Sequence, residues 1–327
     1  MIKFFRQSYI IQYVVIALMA IALWLPSFVS GKVMMGLGEP VTPLFNLFDR
    51  LLGYSTILQH VFAFVLLVLE TLLFNAMLVK NQVIGKVSTM GAFVFVLMMS
   101  MTFTQTNFFP FILATLFILL VISNLFDSYL EPNAEMNLLK AGVFLALASM
   151  CYFPSILLVI WVMIVLPVAK KGSLRLQLIP IFGFVFVYFM YFVGVFLFGD
   201  FQSLLSGYQE YFSGLRLSVA GFNLKNILLL SGLVVATVLL LFGSSSANFE
   251  KTVAVRTKMS MTVIMAFFAV FILFLGGNVL MNGLIFIVLS IIISYVFSYL
   301  GNTGWVNLFL TLFILLVFAN HYYFRIL

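Results

Sequence analysis

Glu70 stands inside a largely apolar run, Ile57 to Val79. An ionisable group at bilayer depth costs several kcal/mol unless it is paired, protonated or wetted, so it is a functional candidate by default. Two kinds of chemistry fit it: proton handling, or a polar anchor that is neutral or paired across helices. Ten residues separate it from His60 and from Lys80, which at 1.5 Å rise puts each about 15 Å away, so neither is a direct partner. Gln105, Asn107, Asn124 and Lys140 are the candidate partners on other segments. His60 sits near the end of the same run, where an interfacial hydrogen bond is expected and proton handling or ligation is the alternative.

The other chemistry-bearing residues gather in two long loops, residues 30–56 and 200–225. These carry the acids Glu39, Asp49, Asp200 and Glu210 and the bases Arg50, Arg216 and Lys225. No nucleotide-binding glycine loop, His-Glu-x-x-His or hydrolase elbow occurs. Cys151 is the only cysteine, which excludes an internal disulfide and a thiolate metal cluster. No cofactor is expected from these residues, and a divalent metal is the one left open, its identity unassigned.

What positions these groups is set by composition. The chain is 65% hydrophobic and 8% charged, with 40 Phe, where a soluble domain carries about 25% charged residues. Its mean hydropathy is +1.25. An all-α, polytopic transmembrane helix bundle follows, forming one integral membrane domain over residues 1–327. Apolar stretches near 9–29, 57–79, 88–105, 109–126, 137–150, 152–168, 177–199, 226–243, 260–276, 279–298 and 303–320 predict about eleven spans, 10–12 in all. Tight turns are expected at Gln105-Thr106-Asn107 and Tyr152-Phe153-Pro154. The first stretch is read as a retained span, because its apolar run is long and no small-residue cleavage site follows Phe28.

Basic residues orient the bundle. With a cytoplasmic N-terminus, that face collects Lys3, Arg6, Lys80, Lys86, Lys140, Lys170, Lys171, Arg175, Lys251, Arg256 and Lys258. The outer face keeps Lys32, Arg50, Arg216, Lys225 and Arg325. Eleven against five is a positive-inside bias in a cytoplasmic (inner) membrane, and it places the C-terminus outside. Scattered in short loops, the +7 net charge marks orientation and not a nucleic-acid partner.

Both long loops then fall on the outer face. In the first, Val41, Leu44, Phe45, Phe48, Leu51 and Leu52 recur at helical spacing; in the second, Phe201, Leu204, Leu205, Tyr208, Phe212 and Leu215 do. Two amphipathic interfacial helices are predicted, forming a shelf that carries the loop charges or merely seals the bundle.

The stretch Asn124-Leu-Phe-Asp127-Ser-Tyr-Leu, followed by Asn137-Leu-Leu-Lys-Ala-Gly142 and on through Tyr152-Phe-Pro154-Ser155, resembles the middle helices of GT-C type membrane glycosyltransferases. The whole chain also resembles a small uncharacterised family of bacterial polytopic membrane proteins. The first resemblance implies transfer of a sugar from a polyprenyl-phosphate donor to an acceptor at the outer face of the membrane. It gives Asp49 or Glu39 the role of the base toward the acceptor hydroxyl. It gives Arg50, Arg216 or Lys225 the charge of the departing lipid phosphate. Unlike many members, this chain has no acidic pair after its first span and no soluble outer domain. The alternatives are a non-catalytic membrane subunit that binds lipid or a protein partner in an envelope complex, and, third, a transporter or flippase. Glu70 falls toward the cytoplasmic half of its helix, away from the shelf, and is therefore read as the buried anchor.

Overall fold

Crossing a ~30 Å hydrocarbon core takes about 20 helical residues, and the computed structural model contains five helices long and apolar enough to do so. It describes residues 2–7, 9–30, 41–53, 55–85, 87–101, 110–131, 133–214, 253–275, 283–299 and 304–322. Among these residues the fold is all-helical, with no strand.

The five are α2 (Ile10–Ser30), α4 (Thr56–Lys80), α6 (Pro110–Leu130), α9 (Leu174–Phe198) and α11 (Val253–Leu275). Between them lie α3 (Pro43–Leu52), α5 (Met90–Met99), α7 (Glu135–Cys151), α8 (Leu158–Val168) and α10 (Phe201–Gly214). The N-terminal turn is α1 (Ile2–Phe5), and α12 (Leu284–Tyr299) and α13 (Gly304–Tyr322) close the chain. The expected span 226–243 and the turn at Gln105-Thr106-Asn107 lie outside the described residues. The other expected turn is present as a 3-10 segment, Phe153–Leu157, entered through Tyr152 in an extended conformation.

The centre is made by the short helices. α5 packs between α4 and α12, and all ten of its residues are buried. A helix apolar on every side belongs in the interior, where no face has to meet anything polar. α6 packs against α4 and α7, and α7 against α9, while α8 and α12 flank α11. α9 exposes Phe182, Phe186, Phe189 and Phe196, an apolar surface suited to lipid. It meets α7 through two glycines: a Cβ on Gly142 would fall on the Pro180 carbonyl, and one on Gly183 would lie 2.7 Å from the Leu139 carbonyl oxygen.

Many of the basic residues assigned to one face by the charge count do gather at one end of the bundle. Arg6 donates from Nε and Nη2 to the Phe297 carbonyl at 3.2 and 2.8 Å. Next to it, the Phe5 carbonyl accepts the Thr89 amide at 2.9 Å. Lys80 pairs with Asp127 at 2.8 Å and Arg175 with Glu135 at 2.9 Å. Lys171 donates to the Glu131 carbonyl at 2.9 Å. These contacts bring the ends of α4, α6 and α12 and the beginnings of α2, α5, α7 and α9 together.

At this same end the charge count missed a buried group. Lys258 was expected in a loop before a span beginning at residue 260, but α11 starts at Val253, and Lys258 is only 1% exposed. Its ammonium donates to the Asn81 carbonyl at 3.2 Å and to Asn81 Oδ1 at 2.8 Å. Asn81 caps α4, and its Nδ2 donates to the Met77 carbonyl at 3.1 Å. One asparagine thus ties the end of α4 to α11. Asn81→Leu should lower stability by about 1.5–3 kcal/mol, the worth of a hydrogen bond to a charged group. Thermal unfolding of the solubilised protein measures this, and an unchanged midpoint would remove Asn81 as the tie.

Candidate functional site

α3 starts with Pro43 at its first position and ends at Gly53, whose φ of 62° reverses the chain toward α4. Glycine takes that conformation without steric cost. Val41 and Phe45 are buried and Leu44, Phe48 and Leu52 half-buried, as the apolar spacing predicts, but Leu51 is 73% exposed.

Asp49 lies on the last turn of this helix, half-buried. Gln59, in the first turn of α4, donates from Nε2 to Asp49 Oδ1 at 3.2 Å and to the Gly53 carbonyl at 3.0 Å. One amide therefore fixes both the α3–α4 turn and the carboxylate. Among the described residues the other carboxylate oxygen, Oδ2, takes part in no hydrogen bond, which leaves it open to accept a proton. Arg50 follows directly and is exposed. Glu39, Arg216 and Lys225 lie outside the described residues. Of the expected shelf charges, the structure therefore brings Asp49 and Arg50 to the same turn.

His60, in the first turn of α4, is buried at 2% exposure. Its Nδ1 lies 2.7 Å from the Thr56 carbonyl, and a carbonyl can only accept, so that nitrogen carries a proton. Its ring lies 5.6 Å from that of Phe28. The imidazole thus links the first turn of α4 to α2.

Glu70 is 1% exposed, and its carboxyl approaches the backbone of Leu116 in α6. Oε1 has no hydrogen-bond partner among the described residues. Two of the expected partners are engaged elsewhere or exposed: Asn124 donates to the Leu120 carbonyl of its own helix at 2.7 Å, and Lys140 is exposed. Gln105 and Asn107 lie outside the described residues. Glu70→Leu is expected to leave heat stability unchanged or raise it by up to about 1 kcal/mol, because an unpaired buried oxygen is removed from an apolar site. A fall larger than that in thermal unfolding would show the carboxyl holding α4 to α6.

A second polar centre at this end was not read from the sequence. α10 packs through Leu204, Gly207, Tyr208 and Tyr211, whereas Phe201, Leu205 and Phe212 of its apolar face are exposed. The Phe153 ring holds it, with Tyr208, Tyr211 and Phe212 at 5.6, 4.9 and 5.7 Å. Below it, the Tyr188 hydroxyl of α9 lies 2.8 Å from Ser149 Oγ of α7. Leu44 of α3 packs on the cluster formed by Ala146, Met150 and Tyr188. Both amphipathic helices thus rest on the same end of α7 and α9. Burial, then the neighbouring Tyr188 and Tyr191, push the Tyr208 phenol above its ordinary range, so it remains a neutral hydroxyl.

Among the described residues no group of three or more His, Cys, Asp or Glu side chains comes together to hold a metal ion. The chain matches no family model, and it is similar to no curated protein and to no solved structure.

Proposed function

We propose that this chain is a multi-pass protein of the bacterial cytoplasmic membrane, with about eleven spans and a cytoplasmic N-terminus. Like the GT-C type glycosyltransferases it resembles, it transfers a sugar from a polyprenyl-phosphate donor to an acceptor hydroxyl at the outer face. The observation that carries this reading is the Asp49 carboxylate, held by Gln59 through one oxygen and open at the other, at the edge of an interfacial helix seated on the bundle.

In the reaction, Asp49 takes the proton of the acceptor hydroxyl as that oxygen bonds to the anomeric carbon of the donor sugar. The bond from that carbon to the phosphate oxygen breaks, and its electron pair leaves on the polyprenyl phosphate. A carboxylate suits this position because it accepts a proton and also stabilises the positive charge that develops on the sugar. Arg50, with Arg216 or Lys225 from the second outer loop, offsets the charge on the departing phosphate, and Arg is favoured because its fork matches phosphate oxygens. Glu39 is the alternative base. The phenylalanine-rich outer face of α9 accommodates the polyprenyl tail.

The test is transfer in proteoliposomes supplied with a polyprenyl-phosphate sugar and a hydroxyl acceptor, read as release of polyprenyl phosphate. Wild-type protein that releases none is not a transferase under those conditions, and the second reading, a non-catalytic membrane subunit, then takes precedence. The same apolar face of α9 favours that reading, since it suits a partner helix as well as lipid.

A further inference from the structure

The tyrosines beneath α10 offer a defined set of hydrogen-bonding groups. Ser149 Oγ donates its one proton to the Ala146 carbonyl at 2.8 Å. In the 2.8 Å contact with Tyr188 the serine must therefore accept, and Tyr188 donates. That leaves lone pairs on the Tyr188 oxygen as acceptors. The Tyr208 hydroxyl is buried, with no hydrogen-bond partner among the described residues, so it has both a proton to give and lone pairs to receive one. The two phenols flank one ring: Phe192 lies 5.9 Å from Tyr188 and 6.2 Å from Tyr208. A neutral hydroxyl that donates to one tyrosine and exchanges a bond with the other completes the set.

Charge decides between the two outer-face chemistries, phosphate and sugar. Neither α10 nor the half of α9 beneath it carries a basic residue, and the ionisable acids of this stretch are Asp200 and Glu210. Among the described residues of α10 and that half of α9, a phosphate would meet acids and no cation. A sugar ring meets neutral hydroxyls at its edge and aromatic faces against its C–H surface. We infer that Tyr188 and Tyr208, with Ser149 behind them and Phe153 and Phe192 beside them, form a binding subsite for a neutral sugar ring. This rests on the proposed transferase only in taking saccharides to be what this face handles.

The experiment uses full-length protein moved from detergent into nanodiscs, so that no glycoside detergent competes. Polyprenyl-phosphate hexose, polyprenyl phosphate without sugar, and methyl hexosides are titrated against wild type, Tyr208→Phe and Tyr188→Phe. Each variant removes a single oxygen. Expected is a loss of about tenfold in affinity for a sugar-bearing probe, equivalent to one hydrogen bond of roughly 1.4 kcal/mol. Binding of bare polyprenyl phosphate stays unchanged. A loss confined to the lipid-linked hexose makes this the donor's subsite, and one confined to methyl hexosides makes it the acceptor's.

Heat stability separates binding from structure. Tyr208→Phe removes an unpaired buried oxygen, so its unfolding midpoint is expected to equal or exceed that of wild type. Wild-type affinity for every sugar probe in both variants would overturn the subsite, as would a wild type that binds sugared and bare lipid equally and no methyl hexoside. Asp49→Asn tells the two proposals apart. If it transfers normally while the tyrosine variants lose sugar affinity, the Asp49 assignment falls and the subsite stands. If it is inactive while the tyrosine variants bind normally, the subsite falls and the transferase stands.

Discussion

Asp49→Asn protein will transfer sugar about 10²–10⁴-fold more slowly than wild type, the range that a lost general base accounts for. The amide has the carboxylate's shape, and its oxygen still accepts from Gln59 Nε2, so the α3–α4 turn keeps its tie. What disappears is the ability to take a proton. Unchanged membrane levels and unfolding midpoint should accompany the lost rate, because the side chain is half-buried and its structural bond survives. Equal rates in wild type and Asp49→Asn, with loss in Glu39→Gln, would move the role to Glu39. Equal rates in all three would end the carboxylate mechanism.

Gly142→Val is expected to keep the protein from accumulating in the membrane. Its Cβ would fall on the Pro180 carbonyl oxygen and within 2.7 and 2.8 Å of the Pro180 carbonyl carbon and Cα. Those are backbone atoms of a neighbouring helix, so relief requires α7 and α9 to separate. Overpacking costs about 1–3 kcal/mol where side chains can yield, and more where they cannot. In lipid, close backbone approach at small residues is itself a main source of helix association. Gly142→Ala should already lower the unfolding midpoint, whereas Gly194→Ala on the same α9, with nothing within 4 Å of its added carbon, should be neutral or gain up to about 1 kcal/mol from helix propensity. Equal midpoints for Gly142→Ala and wild type would show that the two helices are not in backbone contact there.

The long spans were legible because lipid imposes a simple demand, an unbroken apolar run, and α2, α4, α6, α9 and α11 meet it. α5 and α12 were legible as apolar but not as interior, since protein and lipid neighbours select the same side chains. The same ambiguity hid which residues of α10 pack on protein. In an interfacial helix Phe201, Leu205 and Phe212 are as comfortable facing lipid as facing protein, while Gly207 and Tyr211, which do pack, carry no apolar signature. Asp49 and Arg50 were legible as charges of the first long loop, but the amide that fixes Asp49 lies ten residues on, across a reversal that only Gly53 hints at. Lys258 was invisible for a further reason. Counting loop charges treats every lysine as solvated, and nothing in the spacing says that Asn81 will come to meet it. Tyr188 and Tyr208 were hidden by abundance, two among 13 Tyr and 40 Phe.

The bond from Arg6 to the Phe297 carbonyl joins residues 291 positions apart, and that distance is also a delay. At about 5–20 residues per second of synthesis, Arg6 waits roughly 15–60 s for its acceptor to be made. During that interval the helices between them are made while the N-terminal turn has its partners at the start of α5, Ser88, Thr89 and Phe93, and lacks its tie to α12. The end of the bundle that the turn covers is therefore completed late, after most of the chain is already in place.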